Sequence, residues 1–311
     1  MNGYASCARS LLREGRKKGQ TLLRMTDLSL PVRTITPKNH LGTRVRDIFR
    51  YRELLANLVR KELKVRYKSS VLGFFWSLLT PAMLLVVYYF VFSVLLGSGI
   101  PRFPIYLLSG LLAWNLFAVG LSSATSSVVS NAGIVNKVWF PREVLPLSAI
   151  GAALVHFFLQ SIVMLLALLL FRHPVGWRFL PLIPLALMSL LTFLAALSLL
   201  FAAANVYLRD IQHFVEILLL PWFFLTPIVY SYDLIAGKLG GKAFIYLINP
   251  VTPVVLVFQR AIYGEYSDVV HQFPWWWYLR NIGIGFVVSL GLLAMALTVF
   301  RRLEGNFTEE L

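Results

Sequence analysis

The sequence predicts an all-α polytopic membrane protein with six transmembrane helices, and three observations carry that expectation. Of 311 residues, 58% are apolar and 14% charged, whereas soluble domains run to about 45–50% apolar and about 25% charged. So few charges cannot coat a water-facing surface of this size. Several apolar runs exceed about 18 residues, the length that crosses a bilayer. The cations are also one-sided: residues 1–71 hold 17 of the 29 Lys and Arg but five of the 14 Asp and Glu.

Residues 1–47 are polar, basic and broken by Pro31, Pro37 and several glycines, so they read as a largely irregular cytoplasmic tail. No apolar core of about 7–15 residues follows the early charges, so insertion is expected to be directed by the spans. Residues 48–70 read as an amphipathic helix. Tyr51, Leu55, Val59, Leu63 and Tyr67 recur at i+4, while Arg60, Lys61, Lys64 and Lys68 occupy another face. Such a helix lies in the membrane interface with its cations towards lipid phosphates. Residues 71–311 form the transmembrane domain, with spans expected at 72–96, 105–129, 144–171, 179–206, 214–230 and 277–300. Between the last two, 244–264 is apolar yet holds Asn249, Pro250, Pro253, Gln259 and Arg260. Broken backbone at membrane depth is tolerated where protein or a water-lined cavity covers it, so a re-entrant pair of short helices is expected there. Trp275, Trp276, Trp277 and Tyr278 then anchor the sixth span at the outer interface.

Orientation follows from the cations outside the spans. With the N-terminus inside, 22 of them face the cytoplasm and seven the opposite side. The positive-inside rule then places both termini in the cytoplasm. A basic tail beside a membrane domain points to the anionic leaflet, and no aromatic-basic module follows it to suggest nucleic acid.

The chemistry of an enzyme is missing. The spans hold His156 and Glu216 as intramembrane ionisable residues, dispersed and forming no dyad. There is no HExxH, GxSxG or DxD run, and the single cysteine, Cys7, allows no intrachain disulfide and joins no Cys/His metal cluster. The run GKLGGKA at 237–243 has the wrong spacing for a phosphate loop and lacks the Ser or Thr after its lysine. A transporter built on this chain would therefore draw its energy from a partner or an ion gradient.

The loop NAGIVNKVWFPREVLP at 131–146 carries the most information. Trp139 and Phe140 in so short a cytoplasmic loop need a cover, either a docked soluble partner or lipid headgroups. Pro141, ahead of Arg142 and Glu143, marks a helix start.

That loop resembles the signature of polysaccharide and polyol-phosphate exporting permeases of the ABC transporter superfamily. The resemblance spans most of 48–311: RYKSSVLGFFWS at 66–77 with Pro81, LSGLLAWNLF at 108–117, NVYLRDI at 205–211, TPIVY at 226–230 and INP at 248–250. It implies a homodimer of permeases paired with two copies of a cytosolic ABC ATPase, which holds the ATP and Mg, with no cofactor in this chain. Asn136, Lys137, Trp139, Phe140, Pro141, Arg142 and Glu143 would form the coupling helix seated in that ATPase. Residues 48–69 would be the interface helix at the cytoplasmic mouth, and 244–264, with Asn249, Pro250, Pro253 and Arg260, the outer gate. The cargo would be a polysaccharide such as O-antigen or capsule, carried on a polyprenyl diphosphate across a bacterial cytoplasmic membrane. Arg60, Lys64, Arg66 and Lys68 could attract the diphosphate, and Tyr88, Tyr89, Trp114, Phe117, Trp222 and Tyr230 are candidate rings along which sugars slide. Three other readings remain: an ion-coupled secondary transporter using Glu216, a glycan-processing enzyme using Asp233, Glu265 or Asp268, and a structural subunit without a conduit.

Overall fold

The computed structural model describes residues 50–67, 79, 83, 86–95, 97, 100–138, 140–264 and 272–311, all within one compact unit, Arg44–Leu311. The tail 1–47 and most of the first expected span, 72–96, lie outside the described residues. Among those described, the protein is helical and has no strand.

The chain opens with α1 (Arg52–Tyr67); from the first expected span, a π-helical turn, Tyr89–Leu95, is described. Four long helices follow, each matching a sequence-predicted span to within about four residues: α2 (Phe103–Ser130), α4 (Val144–Leu170), α5 (Leu182–Tyr207) and α10 (Trp275–Glu304). Among the described residues these four are long and apolar enough to cross a membrane. A one-turn helix, α3 (Ala132–Val135), sits between α2 and α4.

The expected fifth span behaves differently. Helix α6 (Ile211–Leu225) stops after 15 residues, about 22 Å at 1.5 Å per residue, against a hydrocarbon core of about 30 Å. Thr226 is extended, with φ −104° and ψ 131°, because Pro227 disfavours helical backbone in the residue before it. The chain then bends through Tyr230 instead of continuing as helix. Next come α7 (Tyr232–Leu239), a 3₁₀ turn Gly240–Phe244, α8 (Ile245–Ile248) and α9 (Val251–Ile262). Every residue of α9 except Arg260 is buried, packed against α2, α5 and α10. This short helix is thus covered by protein on every side but that of Arg260. The chain ends with α11 (Phe307–Glu310).

Small residues let the long helices approach closely, as apolar solvent requires. A Cβ on Gly120 of α2 would come within 2.7 Å of Leu194 Cδ2 on α5, and one on Gly151 of α4 within 2.8 Å of Val59 Cγ2 on α1. The apolar stripe of α1 therefore packs on α4. Leu58 is its most buried residue, and Arg60, Lys61 and Lys64 are exposed.

Two apolar clusters result. The larger joins α2, α4, α5, α6, α9 and the first turns of α10. The smaller gathers Leu58, Val128, Phe140, Leu145, Val206, Phe300 and Phe307 at the end that carries the 131–143 loop.

Candidate coupling loop, gate and transport path

The 131–143 loop is held at both ends. At its start Lys61 Nζ of α1 donates to Asn131 Oδ1 at 2.5 Å, and Asn131 Nδ2 donates to the Ser127 carbonyl at 2.8 Å. At its close Arg142 Nη1 donates to the Glu304 carbonyl at 2.5 Å, and its guanidinium lies 5.6 Å above the Phe307 ring. Between these anchors Asn136, Lys137 and Val138 are exposed, Val138 at 57%.

This geometry corrects the expected coupling surface. Phe140, Pro141 and Glu143 are buried within the chain, Phe140 among Val135, Val144 and Phe300 in the smaller cluster. Buried here, they hold the loop in place, and Asn136–Val138 are exposed at its tip. Trp139 lies outside the described residues. Nor is Pro141 the first helical residue, since α4 begins at Val144 after a turn in which the Val144 N–H donates to the Pro141 carbonyl at 3.2 Å.

The gate expectation rests on one side-chain amide. Trp222 Nε1 of α6 donates to Asn249 Oδ1 at 3.1 Å, as does the Val251 N–H that opens α9, also at 3.1 Å. Asn249 Nδ2 donates to Thr226 Oγ1 at 3.0 Å, and the Thr226 hydroxyl donates to the Trp222 carbonyl at 3.0 Å. Asn249 thus ties the end of α6 to the start of α9. Pro250 and Pro253 stand where prolines are tolerated, just before and in the first turn of α9. Further along, buried Gln259 donates to the Pro227 carbonyl at 2.9 Å. A Cβ on Gly110 would come 3.1 Å from Gln259 Nε2, so a larger residue there would press on the Gln259 amide. Arg260 donates to the Gly264 carbonyl at 2.5 Å and stacks 4.9 Å above Phe179.

Beside the gate, His173 is buried between Arg102 and Tyr263. Its ring stacks on Tyr263 with centroids 5.4 Å apart. Nδ1 lies 3.2 Å from Arg102 Nη1 and Nε2 lies 3.3 Å from the Tyr263 carbonyl. The partners assign the tautomer: Nδ1 accepts from the guanidinium and Nε2–H donates to the carbonyl. Burial pushes the His173 pKa down, with the Arg102 charge adding to the effect against the Tyr263 bond. Below about pH 6.5, the usual histidine value, the unfolded chain takes up a proton that the fold resists. Thermal stability in detergent is expected to fall as pH drops below that value, and His173→Asn to flatten the dependence; an unchanged slope would remove His173 as its cause.

The aromatic candidates divide in two. Trp114 and Phe117 are core residues, 6% and 0% exposed. Trp114 packs edge-on to Phe223 at 5.6 Å, Phe117 stacks on Phe193 at 5.8 Å and meets Trp222 at 5.0 Å, and Tyr88 stacks on Phe223 at 5.9 Å. In this conformation those two rings hold the helices together and do not line a path. Tyr89 is 42% exposed; Tyr230 is half-buried and donates to the Phe224 carbonyl. Of the cations expected at an entrance, Arg60 and Lys64 are exposed on α1, while the Arg66 side chain and Lys68 lie outside the described residues.

His156 is buried on α4, and Glu216 is exposed near the start of α6 with its carboxylate 3.7 Å from His213 Nδ1. The sequence reasoning missed Tyr207, Glu304 and Phe307, which brace the loop. The one signal for them was Phe307, an aromatic residue isolated in the polar run GNFTEEL.

Residues 53–263 match the ABC-2 type transporter membrane family. The chain is 33% identical over 267 residues to the O-antigen export system permease protein RfbA of Myxococcus xanthus, covering 86% of this chain and 98% of that one. It is 30% identical over 257 residues to the protein of that name from Klebsiella pneumoniae, covering 83% and 94%. It is 25% identical over 218 residues to the polysialic acid transport protein KpsM of Escherichia coli, covering 67% and 81%. By the extent of these matches, and by the long apolar helices that they span, this chain belongs to the ABC-2 type transporter family of membrane permeases.

Proposed function

We propose that this chain is the transmembrane subunit of an ATP-driven exporter that moves an O-antigen-type polysaccharide, carried on a polyprenyl diphosphate, across a bacterial cytoplasmic membrane. The observation that carries the reading is identity sustained over nearly the whole length of an O-antigen export permease. Two copies of the chain pair with two copies of a cytosolic ATPase, and each copy crosses the membrane six times with both termini inside. The exposed Asn136–Val138 tip, on an otherwise anchored loop, supports a docking role for that loop. The sequence has no phosphate-loop run, so hydrolysis belongs to the partner. A hydrated neutral or acidic glycan needs no fixed ion site, in keeping with the exposed position of Glu216.

Extraction from native membranes in mild detergent, followed by mass spectrometry, tests the reading. A stoichiometric ABC ATPase whose hydrolysis depends on the permease is expected; clean purification without a nucleotide-binding partner would overturn it. A second measurement addresses the entrance. Each cation near an anionic surface contributes about 1 kcal/mol. Reversal of charge at Arg60 and Lys64 to Glu is therefore expected to lower surface glycan several-fold more than replacement by Gln. Equal loss in the two variants would leave these residues no role in capturing a diphosphate.

A further inference from the structure

The anchoring of the 131–143 loop joins it to the longest of the described helices. Helix α10 spans 30 residues, about 45 Å at 1.5 Å per residue. The last carbonyls of a helix have no partner within it and carry partial negative charge. Here they are claimed from two directions. Arg142 of the loop donates to the Glu304 carbonyl and, through its backbone N–H, to Glu304 Oε1 at 3.4 Å. Tyr207, at the end of α5, donates to the Leu303 carbonyl at 2.8 Å. Phe307 then folds back, fully buried, against Phe300 at 5.4 Å and Tyr207 at 6.1 Å, beneath the Arg142 guanidinium.

The other end of α10 is fixed to the gate. Tyr278 meets Phe179 edge-on at 5.6 Å, and Phe179 carries the Arg260 guanidinium of α9 on its face. Trp277 stacks on Phe273 at 3.8 Å and packs near Tyr232 of α7. Between its ends α10 packs chiefly against α5, with buried Ser289 donating to the Gly285 carbonyl at 2.6 Å where a Cβ on Gly285 would lie 3.7 Å from Ser189.

We propose that α10 is the rigid rod that links the docking loop to the outer gate, with Arg142 and Phe307 as the positioning residues of its cytoplasmic joint. The inference rests on the exporter reading above. A displacement of the loop is handed through the guanidinium to the end of α10, and a 45 Å helix packed along α5 passes it to Tyr278, Phe179 and Arg260. Packed interfaces of this kind shift as units because close-packed interiors transmit strain.

The test compares the permease–ATPase complex of the unaltered chain with Arg142→Gln, Phe307→Ala, their combination and Arg142→Lys. Three quantities are read: ATPase subunit retained on purification, ATP hydrolysed per complex, and surface glycan in the native host. A cysteine in place of half-buried Tyr246, on a Cys7→Ser background, reports the gate by labelling with a membrane-impermeant maleimide, with and without vanadate-trapped nucleotide. Expected are full retention of the ATPase, hydrolysis within about twofold of the parent, and export reduced tenfold or more. The vanadate-dependent labelling seen in the parent should vanish, Arg142→Lys should restore part of it, and the combined variant should be no worse than the weaker single one. Parental export in the variants, labelling that responds equally in variant and parent, or a parental gate that does not respond would each overturn the proposal. Loss of ATPase and permease together would also overturn it, by reducing the joint to a stabilising contact. Failure of the exporter reading is recognised separately, as an unaltered chain that purifies without an ATPase.

Discussion

Replacement of Lys137 by Glu and Val138 by Asp is expected to strip the ATPase subunit from the purified permease, lowering its recovery at least about tenfold, or about 1.4 kcal/mol. Both side chains are exposed at the tip of the anchored loop. A like charge placed in a docked interface costs several kcal/mol, while surface changes away from the core leave stability within about 0.5 kcal/mol. The fold should therefore survive, which detergent thermal unfolding checks. Phe140→Ala should give the opposite result. Its ring is 4% exposed in the smaller cluster, and truncating a buried Phe costs about 3–5 kcal/mol, so the permease itself should melt at lower temperature. Two neighbouring substitutions thus separate docking from anchoring. Equal ATPase recovery from the tip variant and the parent would remove Asn136–Val138 as the contact surface.

The long helices were legible because the physics that makes them is local. An unbroken apolar run must satisfy its own backbone in lipid, so α2, α4, α5 and α10 begin and end within a few residues of the composition change. The break in the helix after α6 was legible for the same reason, since Asn249, Pro250 and Arg260 stand out in an apolar run. The premature stop of α6 at Leu225 was encoded in Pro227, but hydropathy alone reads through a Thr-Pro pair. The orientation of side chains was not legible. Phe140 and Arg142 look like an exposed docking pair in sequence, and become an anchor only because Glu304 and Phe307, more than 160 residues away, fold beneath them. The packing of Trp114 and Phe117 in the core was not legible for a related reason: rings that face other helices and rings that face a conduit have the same spacing along a helix.

Asn249→Leu is expected to cost export more than any other single change at the gate. The side chain of Asn249 serves three partners at once: Trp222 Nε1, the Val251 N–H and Thr226 Oγ1. Leu keeps the branched shape, though it is larger, and satisfies none of them. Each buried polar group left without its partner costs about 1–3 kcal/mol, so the junction of α6 with α9 should weaken by several kcal/mol while α2, α4, α5 and α10 keep their own packing. The expected result is a permease that still retains its ATPase and still unfolds cooperatively, but exports at least about thirtyfold less glycan, equivalent to about 2 kcal/mol. Asn249→Asp keeps the acceptor for Trp222 and Val251 and loses the donor to Thr226, so its export should fall between the two. If Asn249→Leu and Asn249→Asp export alike, the three-way amide junction is not what holds the gate. The burden would then pass to Gln259, whose bond to the Pro227 carbonyl is the next tie between the α6 bend and α9.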